Sequence, residues 1–432
     1  MNFGFKGNLA VTAGKIAAFA SRTLGKGSGG MIGGRVAQKI CPDIMSRLAA
    51  GKKVTLVTGT NGKSTTTKML VNALQQAGKL VATNRGGDNM ENGVIAAMME
   101  NPAAPYVVLE VDEMHVPLVA AEVKPQVLLY LNLSRDQLDR VGAVGHVEER
   151  LRQAVAHSPQ ATVVANCDDP MVTSAAWDGK QKVWVSVGTR WIDDSLVCPR
   201  SGKEIKREGE DWFSTGEPTF RRPQPDWSYQ LEGSSPGEGE SVMAGSAMEV
   251  SAPGGKQSVV VNLPGQVNRG NALMALAAAS VLGVPLTAAA QGIPLVSEVA
   301  GRYATCQVGQ VKGHLLLAKN PAGWREALTM RHAGATGAIL AVNARIGDGT
   351  DPSWIEDIDF SPLRDTPKII VCGECADKVQ ACLDKQGITC EIEDSAYHAI
   401  SIFGSGQVDI LANYTAFQDL RAELEAKGQI RG

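Results

Sequence analysis

The chain has 432 residues, with 42 Lys and Arg against 45 Asp and Glu, a net charge of -3. That length predicts two or three domains with large cores, and the near-neutral balance excludes a globally basic surface of the kind that gathers nucleic acid. At 44% hydrophobic and 20% charged residues the composition also excludes a disordered or collagen-like chain, and eight scattered cysteines fit reduced thiols better than a disulfide framework.

Residues 1–50 read as a helical segment, with Ala and Ile spaced through Gly14–Leu24 and Val36–Leu48 around a glycine cluster at 25–34. No apolar stretch leads to a small-residue cleavage site, so no secretory signal is expected. Strand-like and helix-like runs then alternate: Val54–Thr58, Ser64–Ala77, Tyr106–Val111, Val127–Asn132, Val147–Val155 and Thr162–Asn166. Such alternation predicts βαβ units, hence an α/β domain over 51–295 with a parallel-rich sheet. Between about 191 and 254 the pattern fails, and Gly, Pro, Ser and charge dominate. Trp212, Trp227 and Tyr229 argue for a loop-rich or small β insert there instead of a linker. A strand at Val259–Leu263 and a helix at Asn271–Leu282 follow; the Ala-rich run 272–284 is too short for a transmembrane segment. From residue 296 a second series begins, with strands at Leu315–Ala318, Gly337–Val342, Lys368–Cys372 and Val408–Ala412, so 296–432 is read as a second α/β domain.

The most informative stretch is Val54-Thr-Leu-Val-Thr-Gly-Thr-Asn-Gly-Lys-Ser-Thr-Thr66, a strand entering a small-residue turn and leaving into a helix. Backbone N–H groups of Gly59, Thr60, Asn61, Gly62, Lys63 and Ser64 can wrap a phosphate. Lys63 would reach the β/γ-phosphates of a nucleotide, and Ser64 or Thr65 would ligate Mg²⁺. Val57 stands where the general G-x-x-x-x-G-K-[ST] pattern has its first glycine.

The form Thr58-Gly-Thr-Asn-Gly-Lys-Ser64 resembles the Mur ligase superfamily, which joins amines to carboxylates with ATP. Val108-Leu-Glu-Val-Asp-Glu113 resembles its Mg²⁺-binding glutamate segment, which implies Glu110 as ligand, with Asp112 and Glu113 as further candidates. Leu131-Asn-Leu-Ser-Arg-Asp-Gln-Leu-Asp-Arg140 resembles the family's N-x-x-x-D-H-x-D-R stretch, with Gln137 in place of the usual histidine. No lysine lies between Arg140 and Lys180 to play the family's carbamylated bridge, so metal handling is altered. Asn166-Cys-Asp-Asp-Pro170 resembles an N-x-D-D turn through which Asp168 and Asp169 face the nucleotide region, although such a turn is usually structural. Pro264-Gly-Gln-Val-Asn-Arg-Gly-Asn-Ala272 resembles the segment whose amides, here Asn268 and Asn271, meet the adenine edge. Gly301-Arg302 resembles the arginine at the domain junction, a fixed positive charge for the transferring phosphate.

Lys319-Asn-Pro-Ala-Gly323, Asp348-Gly-Thr-Asp-Pro-Ser-Trp354 and Ala412-Asn-Tyr-Thr-Ala416 are similar to the MurT branch of that superfamily. This resemblance implies amidation of the α-carboxylate of D-glutamate in the lipid II stem peptide, through an acyl phosphate. It also implies a separate GatD-like glutaminase subunit as the ammonia source and work at the cytoplasmic face of the membrane. Asp351 is the choice for the acid that orients the partner's histidine, with Asp348 and Asp357 as alternatives; each also reads as the cap of a helix beginning near Ser353. Members of this branch often hold zinc on two C-x-x-C pairs in the insert. Here Cys198-Pro-Arg-Ser201 has no second pair near 215–222, and one thiol cannot supply about four ligands, so no zinc is expected. Cys372-Gly-Glu-Cys375 reads as a chance spacing in the core, and His115, His146 and His332 as surface or core residues. Trp354 reads equally as a partner anchor or a core residue. A folylpolyglutamate-synthase-like ligase and a nucleotide-gated scaffold with a vestigial ATPase are the competing readings.

Overall fold

The computed structural model describes residues 3–23, 30–84, 88–135, 144–188, 192–217, 219–232, 242, 244–297, 303–332 and 334–431. Three helices come first, Gly4–Thr23, Gly30–Ile40 and Ile44–Ala49. Six strands follow: β1 (Lys53–Thr58), β2 (Val81–Thr83), β3 (Tyr106–Glu110), β4 (Val127–Tyr130), β5 (Thr162–Asn166) and β6 (Gln181–Val185). They pair in parallel in the order β2-β3-β1-β4-β5-β6. Val54, Leu56 and Val57 of β1 are wholly buried, as a central strand covered on both faces requires. One face packs on the N-terminal helices and Val144–Ala156, the other on Lys63–Gln76 and Gln266–Val281. Chain connections leave β1 and β4 in opposite directions, so a crevice opens where their carboxyl ends lie side by side.

The insert takes its small-β form. A hairpin, β7 (Ile205–Glu208) and β8 (Asp211–Ser214), packs Cys198, Ile205, Trp212 and Phe220 into a core of its own. The strands β9 (Ser228–Leu231), β10 (Ser246–Ala252) and β11 (Gly255–Val261) form an antiparallel sheet. β11 starts four residues before the expected strand, because Lys256, Gln257 and Ser258 pair with β10 on an edge that polar residues tolerate.

The second sheet joins β12 (Tyr303–Val308), β13 (Gln310–Leu317), β14 (Gly337–Ala341), β15 (Ile369–Cys372), β16 (Glu391–Ile392), β17 (Ser405–Ala412) and β18 (Ile430–Arg431), ordered β16-β15-β14-β17-β13-β12-β18. Its central pairings are parallel, and β12 folds back antiparallel on β13 through Gly309, whose φ of +57° makes the tight turn. Only β12 precedes the first strand expected in this domain, Leu315–Ala318, whose start falls inside β13. Separate apolar layers cover the two faces of this sheet as well.

Candidate active site

β1 delivers the chain to Gly59 and Gly62, which turn it with φ of +137° and +86°. A Cβ on Gly62 would stand 2.5 Å from Asn271 Oδ1, so close approach as well as backbone angle requires glycine there. The helix Lys63–Gln76 begins on Gly62 without a side-chain cap, which leaves first-turn N–H groups for an anion.

The loop after β4 clamps this turn. Asn61 N donates to Asn132 Oδ1 at 2.9 Å, and Asn132 Nδ2 returns a bond to Asn61 O at 2.9 Å. Thr60 N donates to Asn132 O at 2.9 Å, while its hydroxyl donates to Ser134 O and accepts from Ser134 N. Asn132 opens the family's N-x-x-x-D stretch and Ser134 is one of its variable positions, and the sequence alone assigns neither a role. Gln137, at the position of the family's histidine, lies outside the described residues, as does Arg302.

Lys63 Nζ donates to Gly59 O at 2.7 Å and to Glu113 Oε1 at 2.9 Å, with both side chains buried. Ser64 Oγ donates to Glu110 Oε2 at 2.7 Å. Glu110 is fixed through its backbone, its N–H bonding Asn84 Oδ1 and its carbonyl accepting from Asn84 Nδ2. Hydroxyl and carboxylate together are an all-oxygen donor pair that suits Mg²⁺, which completes its shell with water and phosphate. Among the described residues no group of three or more His, Cys, Asp or Glu forms a metal site. Burial, and then the neighbouring Glu113, push the Asp112 carboxyl above its ordinary range. Its Oδ1 accepts from Met114 N at 3.0 Å.

Asn271, buried on the helix Gln266–Val281, accepts from Thr66 Oγ1 at 3.3 Å and donates to Asn268 Oδ1 at 3.1 Å. Asn268 Nδ2 is held by Pro264 O at 2.7 Å. From the second domain Asn320 caps the helix Pro321–Thr329 through Gly323 N, and its Oδ1 accepts from Asn61 Nδ2 at 3.4 Å. Its own Nδ2 is buried without a hydrogen bond, a donor left over beside the Gly59–Gly62 turn. A cavity runs between the domains, with Gly62, Thr65, Asn132, Asn268 and Asn271 on one wall and Leu317, Gly323, Glu326 and Met330 on the other.

Asp169 lines this cavity and caps the helix Pro170–Ala176, accepting from Met171 N, Val172 N and Leu133 N; burial pushes its carboxyl up to about 6. Asp168 faces the insert, bonding Arg222, Gly188 N and Ser186. In the insert the Ser201 and Ser214 hydroxyls are bonded at 2.9 Å. Burial raises the Cys198 thiol, but hydrogen bonds from those two hydroxyls and from nearby backbone outweigh it and bring the thiol below its usual range.

Asp348 is buried, with its carboxylate bonded to the N–H and hydroxyl of Thr415. Asp351 is exposed and accepts from Ser353 N at 2.9 Å, just before a 3₁₀ turn over Ser353–Asp357. Asp357 is half-exposed, 3.8 Å from Arg135 of the first domain. Trp354, Cys372 and Cys375 are buried in the second domain, whereas His115 is half-buried against Glu91 and His332 stacks on His314.

The model of the Mur ligase middle domain matches residues 57–192, and that of the MurT ligase C-terminal domain matches 317–417. The chain is 28% identical to the lipid II isoglutaminyl synthase (glutamine-hydrolyzing) subunit MurT of Streptococcus pneumoniae, over 98% of each chain. It belongs to the Mur ligase family, in the MurT branch. The Staphylococcus aureus protein of the same name is 26% identical over 86% of each chain. Among solved structures, MurF from Acinetobacter baumannii superposes with a TM-score of 0.67 at 19% identity, covering 91% of this chain and 80% of that one, which shows the Mur ligase fold. This Mur ligase is thus an ATP-dependent carbon–nitrogen ligase, with a parallel-sheet ATPase domain and a second α/β domain.

Proposed function

We propose that this chain is the synthetase subunit that amidates the α-carboxylate of D-glutamate in the lipid II stem peptide, giving D-isoglutamine for the cell wall. The observation that carries this reading is the match to the MurT subunit along 98% of both chains, joined to an intact phosphate loop with Ser64 on Glu110. A carboxylate oxygen would attack the γ-phosphorus of ATP and release ADP; ammonia would then attack the acyl carbon and release phosphate. Activation is needed because a carboxylate has no leaving group at neutral pH.

Gly59, Thr60, Asn61 and Gly62 with the first helical N–H groups would cradle the phosphates, and Lys63 and Arg302 would offset the negative charge that develops in transfer. Ser64 and Glu110 would hold Mg²⁺, which supplies Lewis-acid neutralisation of the phosphate oxygens. Thr65, Asn268 and Asn271 would border the bound nucleotide. We read the insert as zinc-free, because hydroxyls of Ser201 and Ser214 stand beside the single thiol; elemental analysis of the purified protein tests this.

Ammonia would come from a GatD-like glutaminase subunit, and the exposed, hydrogen-bonded carboxylate of Asp351 suits an acid that orients a partner's histidine. The chain would act at the cytoplasmic face of the membrane; no described helix is long and apolar enough to cross one. The deciding experiment supplies lipid II, ATP, Mg²⁺ and glutamine to the co-purified pair. Mass spectrometry should find one hydroxyl replaced by an amino group on the stem peptide. Glutamate incorporation in its place would establish the folylpolyglutamate-synthase-like alternative, and no ATP turnover would leave a scaffold.

A further inference from the structure

The first helix, Gly4–Thr23, is built inside out for a water-exposed element. Its buried positions are small, Gly7, Ala10, Gly14 and Ser21, while its large apolar side chains face away: Phe5 is 86% exposed, Leu9 51%, Ile16 64% and Phe19 65%. At 3.6 residues per turn those four fall within one arc of about 80°, roughly opposite the buried face and about 21 Å long. The small face is needed for close helix packing: a Cβ on Gly14 would stand 2.7 Å from Gly33 O of the next helix. Its start is fastened too, since Arg47 Nη1 donates to Phe3 O at 2.8 Å. The apolar stripe is therefore a held surface and not a fraying end.

Charge says what covers it. Residues 1–42 contain six basic residues, Lys6, Lys15, Arg22, Lys26, Arg35 and Lys39, and no Asp or Glu, in a chain whose net charge is -3. On the helix, exposed Lys15 and Arg22 border one edge of the stripe and Lys6 the other. A second copy laid on this face would bring like charges together, whereas an anionic bilayer offers acyl chains to the stripe and headgroups to its flanks.

We propose that the helix Gly4–Thr23 is an in-plane membrane anchor, which seats the enzyme on anionic phospholipid with Phe5, Leu9, Ile16 and Phe19 at the acyl boundary. The helix lies on the bilayer and does not span it. Anchoring of this kind would confine the enzyme to the surface on which a lipid-linked substrate diffuses, but the inference rests on the helix and not on the ligase reading.

The test is flotation of the full chain with vesicles of phosphatidylcholine alone and of phosphatidylcholine mixed with phosphatidylglycerol, without ATP or cell-wall precursor. The chain is expected to float with the mixed vesicles, and Phe5→Ser/Ile16→Ser/Phe19→Ser to reduce binding about tenfold or more. Lys6→Gln/Lys15→Gln should weaken it roughly fivefold per charge, with the loss mimicked by salt. All substituted side chains are exposed, so melting temperature and ATP turnover should not move. No flotation with either vesicle overturns the proposal. So does dimerisation, or capture of the glutaminase subunit, that the triple variant abolishes while vesicle binding persists. Because no precursor or nucleotide is present, failure here leaves the amide-ligase reading intact.

Discussion

Glu113 holds Lys63 inside the phosphate loop: Oε1 stands 2.9 Å from the ammonium, and burial shields the pair from water. A triphosphate bound as proposed would meet a lysine already paired, and would have to draw Nζ away from a carboxylate.

Glu113→Gln is accordingly expected to lower KM for ATP about three- to tenfold, because the competing charge is gone. Lys63 keeps its bond to Gly59 O, which limits the loss of stability to about 1–3 kcal/mol. Steady-state ATP turnover with a parallel melt checks both. A raised KM would instead assign the Glu113 charge to holding the metal.

Ser64 and Glu110 make a sharper case, since each contributes one oxygen at a separation of 2.7 Å. Glu110→Gln and Ser64→Ala are each expected to raise the Mg²⁺ concentration for half-maximal ATP turnover by about tenfold or more. Ser64→Thr should retain most of the wild-type response. Neither loss should unfold the site, as Asn84 holds Glu110 by backbone atoms alone. An unchanged Mg²⁺ titration would remove this pair from metal binding.

Among the three acids of the second domain, accessibility separates the outcomes. Asp351→Asn is expected to cut glutaminase activity of the complex by about 10²-fold or more while ATP binding by the isolated chain stays as it was. Asp348→Asn should act on stability, costing about 1–3 kcal/mol, because its carboxylate serves Thr415 inside the fold. Intact glutaminase activity in Asp351→Asn, with loss in Asp357→Asn, would move the role to Asp357.

The readable parts of this molecule are those whose cause is local. Val54–Thr58, the Gly59–Gly62 turn and the following helix are legible because hydrophobic run, glycine pair and Gly-Lys-Ser occur in one stretch. What closes the site from a distance is not. Asn132 and Asn320 stand in segments that carry the family resemblance but show no role there, and only the side-by-side ends of β1 and β4, with the second domain above them, bring them to Asn61. The strands β2, β6 and β12 were equally hard to see. β2 has three residues, β6 opens with polar Gln181 and Lys182, and β12 alternates buried Ala304, Cys306 and Val308 with polar neighbours at modest hydrophobicity.

Asp409 provides a pH test of the second domain. It sits on β17 beside the stacked His314 and His332, whose rings are 5.3 Å apart, and its Oδ2 accepts from His332 N at 3.0 Å while Oδ1 is buried without a hydrogen bond. Burial pushes this carboxyl up to about 6, against which the His332 N–H and the Arg331 charge pull only partly. The folded state therefore binds a proton that the unfolded state, with a carboxyl near 3.8, releases earlier. Its contribution to stability is most favourable below about pH 4, declines as pH rises towards 6, and is level above that. Asp409→Asn keeps the acceptor for His332 and removes the titration. Its stability relative to the parent should thus improve between pH 4 and 6.5, by an amount on the order of 1–3 kcal/mol, and stay constant from there to pH 8. Melts across that range decide it: a difference independent of pH would mean that Asp409 titrates alike in both states.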